Sequence, residues 1–83
     1  MTRLDLHGFT VFDAWKRFTQ WVHDAQKDKS IKSVTVVTGQ GKIHKELPRW
    51  CDNMDFIRDI QPHFHNGAYE IYFYKNRREL WKE

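Results

Sequence analysis

The chain has 83 residues, enough for one domain whose thin core buries only about 60% of the surface that the unfolded form exposes. A net charge of +3 suits an anionic partner, while the absence of any apolar run near ~20 residues and of a signal-peptide pattern excludes a membrane span and a secretory leader. Cys51 is the only cysteine, which excludes an intrachain disulfide and points to a reduced, cytoplasmic setting.

The first element is the short stretch LDLHG, Leu4 to Gly8. The period of a strand puts Leu4 and Leu6 on one face and Asp5 and His7 on the other, and Gly8 ends it. Thr10 to Asp13 resembles a capping box. From there Val11, Phe12, Ala14, Trp15, Phe18, Trp21, Val22 and Ala25 follow helical spacing and predict a helix from about Val11 to Ala25. Ser33 to Gly39, SVTVVTG, is β-branched and apolar on both faces, the pattern of a buried strand. A glycine turn, GQGK, follows. Leu47, Trp50, Cys51 and Met54 give a second helix its apolar stripe, with Cys51 in the core. Pro48 is best tolerated in a first turn, so the helix is expected to start between Lys45 and Leu47. DFIRDI is a short strand ending at Pro62, and Ala68 to Tyr74 is a longer one. Asn66-Gly67 is a turn dipeptide that joins the two as an antiparallel hairpin. Residues 75–83 form a basic tail with one apolar anchor, Trp81.

The order βαβαββ predicts an α/β two-layer sandwich over a single domain, residues 1–83. Right-handed crossovers place both helices on one face of a four-stranded mixed sheet. Pro62 marks the third strand as an edge, which gives the strand order 1-2-4-3. The C-terminal ends of the first two strands then share a rim, where open α/β sheets bind ligands. Asp5, His7 and Gly8 meet Thr38, Gly39, Gln40 and Gly41 there.

This combination suits phosphate chemistry. Gly39 and Gly41 let backbone N–H groups approach a ligand, and the loop leads into a helix N-terminus that favours phosphate. Lys42, His44, Lys45 and Arg49 add positive charge, and Arg3 adds more. His7 can act as a general base or acid, while Asp5 could orient it or hold a metal ion. Each feature also has a plain reading. Asp5 and His7 also suit a solvated strand face, and a GxG is often an ordinary turn. The lysines could serve solubility alone, and Tyr69, Tyr72 and Tyr74 suit packing better than base stacking. His63 and His65 lack a third metal ligand.

Taken together, the pattern resembles the Smr domain, the small MutS-related family. LDLHG matches that family's opening motif, VVTGQGK stands where the family has a strand followed by H/T-G-x-G, LPRWCDN fits its second helix, and NGAYEIYFY fits its late glycine loop and last strand. The resemblance implies a fold like the C-terminal domain of translation initiation factor three. It also implies nucleic-acid binding and, in many members, endonuclease activity on DNA or on messenger RNA at ribosomes. By position it makes Asp5 and His7 catalytic. It makes Gly8, Thr38, Gly39, Gln40 and Gly41 nucleic-acid contacts, and the positive charge of Lys42, His44, Lys45 and Arg49 beside them makes these further expected contacts. Whether a metal takes part is left open: hydrolysis of DNA would call for a divalent ion, Mg or Mn, and Asp5 is the candidate to hold it. Two departures stand out. Thr38 occupies a place where the family often has histidine, and threonine cannot be a general base. The late loop has one glycine, Gly67, where paired glycines are common. The leading expectation is an endonuclease of little sequence specificity. The alternatives are a non-catalytic module that binds branched DNA, RNA or a ribosome, and a protein-interaction adaptor that uses exposed aromatics.

Overall fold

The computed structural model describes residues 2–39, 41–63 and 67–74. Six elements follow one another: β1 (Arg3–Asp5), α1 (Val11–Gln26), β2 (Ser33–Val37), α2 (Lys42–Asp52), β3 (Ile57–His63) and β4 (Ala68–Phe73). The sheet order is β1-β2-β4-β3, with β1 and β2 parallel and the other two pairings antiparallel. This is the two-layer α/β sandwich that the element order predicts. Leu4, Leu6, Val34, Val36, Tyr69, Ile71 and Phe73 supply the buried side of the sheet. Phe18 of α1 meets Trp50 of α2 with ring centroids 5.9 Å apart. Residues 75–83 with Trp81, and His65 and Asn66 of the expected hairpin turn, lie outside the described residues.

Four details differ from the sequence reading, each for a physical reason. The stripe on α1 is narrower than its apolar residues suggest. Ala14, Phe18, Val22 and Ala25 are buried, but Phe12 is 63 % exposed and Trp15 is 43 % exposed. At 100° per residue Phe12 lies far round the helix from the centre of that stripe. Thr10 caps the helix as expected, its Oγ1 accepting from the Asp13 N–H at 3.1 Å.

β2 is buried on alternate residues only, Val34 and Val36, so Val37 is not core on the second face. With helices on one side, the other side of the sheet is half-open. There Thr35 Oγ1 donates to Glu70 Oε1 at 2.6 Å.

α2 begins at Lys42, three residues or more before the expected start, and Pro48 lies inside it. Proline has no N–H to give the carbonyl four residues earlier, that of His44. Tyr69 Oη fills the gap and donates to the His44 carbonyl oxygen at 3.2 Å. A tertiary hydrogen bond thus replaces the missing helical one.

β3 does not stop before Pro62 but runs through it to His63, with Pro62 paired to Tyr69. An edge strand has no neighbour on one side, so a missing donor there costs nothing.

Candidate nucleic-acid interface

The LDLHG stretch is a strand end and a tight reversal. Leu4 and Leu6 are buried, while Asp5 and His7 are exposed. The Leu6 N–H makes the last bond to β2, donating to the Val37 carbonyl at 2.7 Å. The chain then turns back, and the Phe9 N–H donates to the Leu6 carbonyl at 3.2 Å. Gly8 sits in this turn at φ 90°, a region that side chains with a Cβ rarely adopt. Asp5 Oδ1 accepts from the His7 backbone N–H at 2.9 Å. Asp5 therefore fixes the His7 main chain, not the imidazole ring. The glycine reverses the chain, the acid ties the turn, and the histidine is displayed at its corner.

The loop after β2 lies beside this turn because β1 and β2 are parallel, with Asp5 opposite Val37. Gly39 has φ 73°, and a Cβ added to it would lie 3.4 Å from His7 Cδ2. The His7 ring thus rests against Gly39, and the two motifs meet.

Gly39 does not offer its amide to a ligand, contrary to the sequence reading, and neither does Thr38. Both N–H groups donate to the Gly67 carbonyl, at 2.9 and 3.0 Å. Thr38 is only 4 % exposed. Its Oγ1 lies 2.8 Å from the Gly39 carbonyl, 3.0 Å from His44 Nδ1 and 3.4 Å from the Gly67 carbonyl. The single late glycine is thus the hub that holds the loop.

Among the described residues, the amides without a side-chain cap are those at the start of α2. Its N-cap is Gly41, with no side-chain cap, and no acid lies in the first turn. The first-turn N–H groups of a helix have no intrahelical partner and carry its positive end. Lys42 and Lys45 are exposed around it, and Arg3 is exposed on β1. Arg49 is partly spent on Glu46, at 3.6 Å. Gln40 lies outside the described residues.

His44 is the residue whose role the sequence concealed. It is half-buried, and its ring stacks on Tyr69 at 4.4 Å and 15°. Burial lowers its pKa from the ordinary 6.5, which works against the surface cation that its place among lysines suggests. The only hint in the sequence is Pro48, which leaves the His44 carbonyl needing a partner. Burial likewise raises the Tyr69 hydroxyl, with Cys51 adding to it. The Cys51 thiol, buried and beside Asp52, is pushed up to about 12, so Cys51 is an inert core residue. Among the described residues, no three His, Cys, Asp or Glu side chains gather to hold a metal. Nor is any helix long and apolar enough to cross a membrane.

A parallel strand pair, a positive-φ turn carrying histidine and an uncapped basic helix start define a small α/β domain with a rim suited to phosphate. The family model of the Smr domain matches residues 4–71, and the chain belongs to that family. This membership makes the chain a nucleic-acid-binding, nuclease-type module in general terms. Comparisons with curated proteins and with solved structures give no significant match.

Proposed function

We propose that the protein is an Smr-type endonuclease that cleaves phosphodiesters with little sequence specificity. The observation that carries the reading is the His7 ring lying on Gly39, beside the uncapped start of α2. A backbone phosphate binds at the α2 N-terminus, with Lys42 and Lys45 around it and Arg49 further along the helix. The contacts are to phosphate and not to bases, so they carry no sequence information. His7 moves a proton at the reacting phosphate, and Asp5 keeps the His7 backbone in its turn.

RNA is the preferred substrate. It brings its own nucleophile, the 2′-hydroxyl, and needs only proton transfer. DNA hydrolysis must activate a water, for which a divalent metal such as Mg or Mn is the usual route. Asp5, a carboxylate at the rim, already accepts the His7 N–H. In cells the RNA could be naked or on a ribosome.

The test incubates the purified chain with supercoiled plasmid, with a structured RNA and with a 2′-deoxy copy of that RNA, each with and without EDTA. Cutting of the RNA alone, unaffected by EDTA, is the expected result. A second reading, a binding module without catalysis, is favoured by one observation. The loop position that could carry a second base is Thr38, and it is buried. Tight binding with no cutting of any substrate would establish that reading.

A further inference from the structure

His44 is held more firmly than a phosphate contact requires. It is the third residue of α2. Its Nδ1 lies 3.0 Å from Thr38 Oγ1, its ring stacks on Tyr69 at 4.4 Å, and its carbonyl accepts from Tyr69 Oη at 3.2 Å. Rotating the ring breaks the first two contacts together.

The hydrogen-bond pattern also suits one tautomer. The Thr38 hydroxyl has one proton, and carbonyl oxygens only accept. Its shortest contact is the Gly39 carbonyl at 2.8 Å. With the proton there, His44 Nδ1 must carry the hydrogen that it shares with Thr38 Oγ1. The lone pair of the neutral ring is then on Nε2, which has no hydrogen-bond partner among the described residues. His7 rests on Gly39 and His44 is held by Thr38, so two imidazoles are anchored on consecutive residues of one loop.

We propose that His44 is the general base and His7 the general acid of an RNA-cleaving pair, with Thr38 as the positioning residue of His44. The proposal rests on the endonuclease reading and adds to it the second proton-transfer group. His44 Nε2 takes the proton of a 2′-hydroxyl, and that oxygen forms a bond to phosphorus. The bond from phosphorus to the 5′ oxygen breaks, and the His7 imidazolium gives its proton to the departing oxygen. The products are a 2′,3′-cyclic phosphate and a 5′-hydroxyl, with nothing else consumed.

The surroundings suit the assignment. Thr38 from the loop and Tyr69 from β4 face the His44 ring and are uncharged at neutral pH. Lys42 and Lys45 flank it on its own helix. Burial favours the neutral, proton-accepting ring.

The test measures cleavage of one structured RNA across the neutral pH range by the wild type and by His44→Ala, His44→Gln and Thr38→Val. The wild type gives a bell-shaped profile, the acid limb from His44 and the alkaline limb from His7. Both His44 variants lose about 100-fold or more in rate, while binding of the 2′-deoxy copy changes only slightly. Free imidazole restores part of the rate to His44→Ala. Thr38→Val, close in shape, cuts more slowly and moves the acid limb, which a purely structural role would not do. It keeps the proposal testable if the His44 variants unfold. A folded His44→Gln that cuts at the wild-type rate, or an acid limb unmoved by Thr38→Val, overturns the proposal and leaves the endonuclease reading standing. A wild type that binds RNA without cutting it overturns both.

Discussion

The turn after β1 is closed by its own residues, whereas the loop after β2 is tied to segments far away in sequence. In the first turn the His7 N–H bonds to Asp5 and the Phe9 N–H to Leu6, while the Leu6 N–H holds the strand end to Val37 of the neighbouring β2. Thr38 and Gly39 bond to Gly67, 29 and 28 residues on, and Thr38 also reaches His44. The first turn leaves its histidine exposed, and the second draws its threonine into the protein. Two glycine-containing motifs at one rim therefore differ in kind. One displays a side chain. The other sets the position of its neighbours.

The comparison is most directly broken at His7. His7→Ala should lower cleavage by about 10²- to 10⁴-fold, the usual range for an acid–base group, with the fold and nucleic-acid binding nearly intact. Unfolding of this variant on a thermal melt would mean that the displayed residue is in fact structural.

Binding comes next. Lys42→Ala and Lys45→Ala should each reduce the salt slope of log affinity for duplex DNA by about 0.9. Arg49→Ala should reduce it less, because Glu46 already faces Arg49. Filter binding at several salt concentrations checks this, and equal effects from all three would remove the helix start as the binding centre.

The two positive-φ glycines sharpen the contrast. Gly8→Ala and Gly39→Ala each force a Cβ into a left-handed conformation, at a cost of about 1–2 kcal/mol. A Cβ at Gly8 meets nothing within 4 Å, while one at Gly39 meets His7. Urea melts should show similar losses for both, but only Gly39→Ala should reduce cleavage beyond what stability explains.

A smaller effect tests the inner cluster. Tyr69→Phe removes the bond to the His44 carbonyl, worth about 1 kcal/mol. The loss should shrink in a Pro48→Ala background, where residue 48 regains an N–H for that carbonyl. An unchanged loss in the double-mutant cycle would separate the tyrosine from the proline.

The smallest effect is on stability against pH. His44 has a folded pKa below its unfolded value, so the unfolded chain binds its proton first as pH falls. Its contribution is fully present above the ordinary value of 6.5 and is lost as pH falls from there towards the lowered folded value. His44→Gln should flatten that part of the stability profile in melts taken over this range.

The sequence by itself determined the element order, the sheet order through Pro62, the buried leucines of β1 and the roles of Gly8 and Thr10. These depend on neighbours a few residues apart, whose steric and hydrogen-bonding preferences act locally. It also determined which two stretches meet, because parallel strands share a rim. Only the tertiary structure decided which atoms of those stretches stay free. Pro48 sits inside α2 because Tyr69, 21 residues further on, takes up the carbonyl that it leaves. Phe12 is exposed because a helix buries one narrow stripe and not every apolar side chain. Thr38 and Gly39 give their amides to Gly67, and His44 becomes a held ring stacked on Tyr69. A hydrogen-bonding group looks the same in any sequence. Whether it faces a ligand or a distant carbonyl depends on what the fold brings within about 3 Å of it.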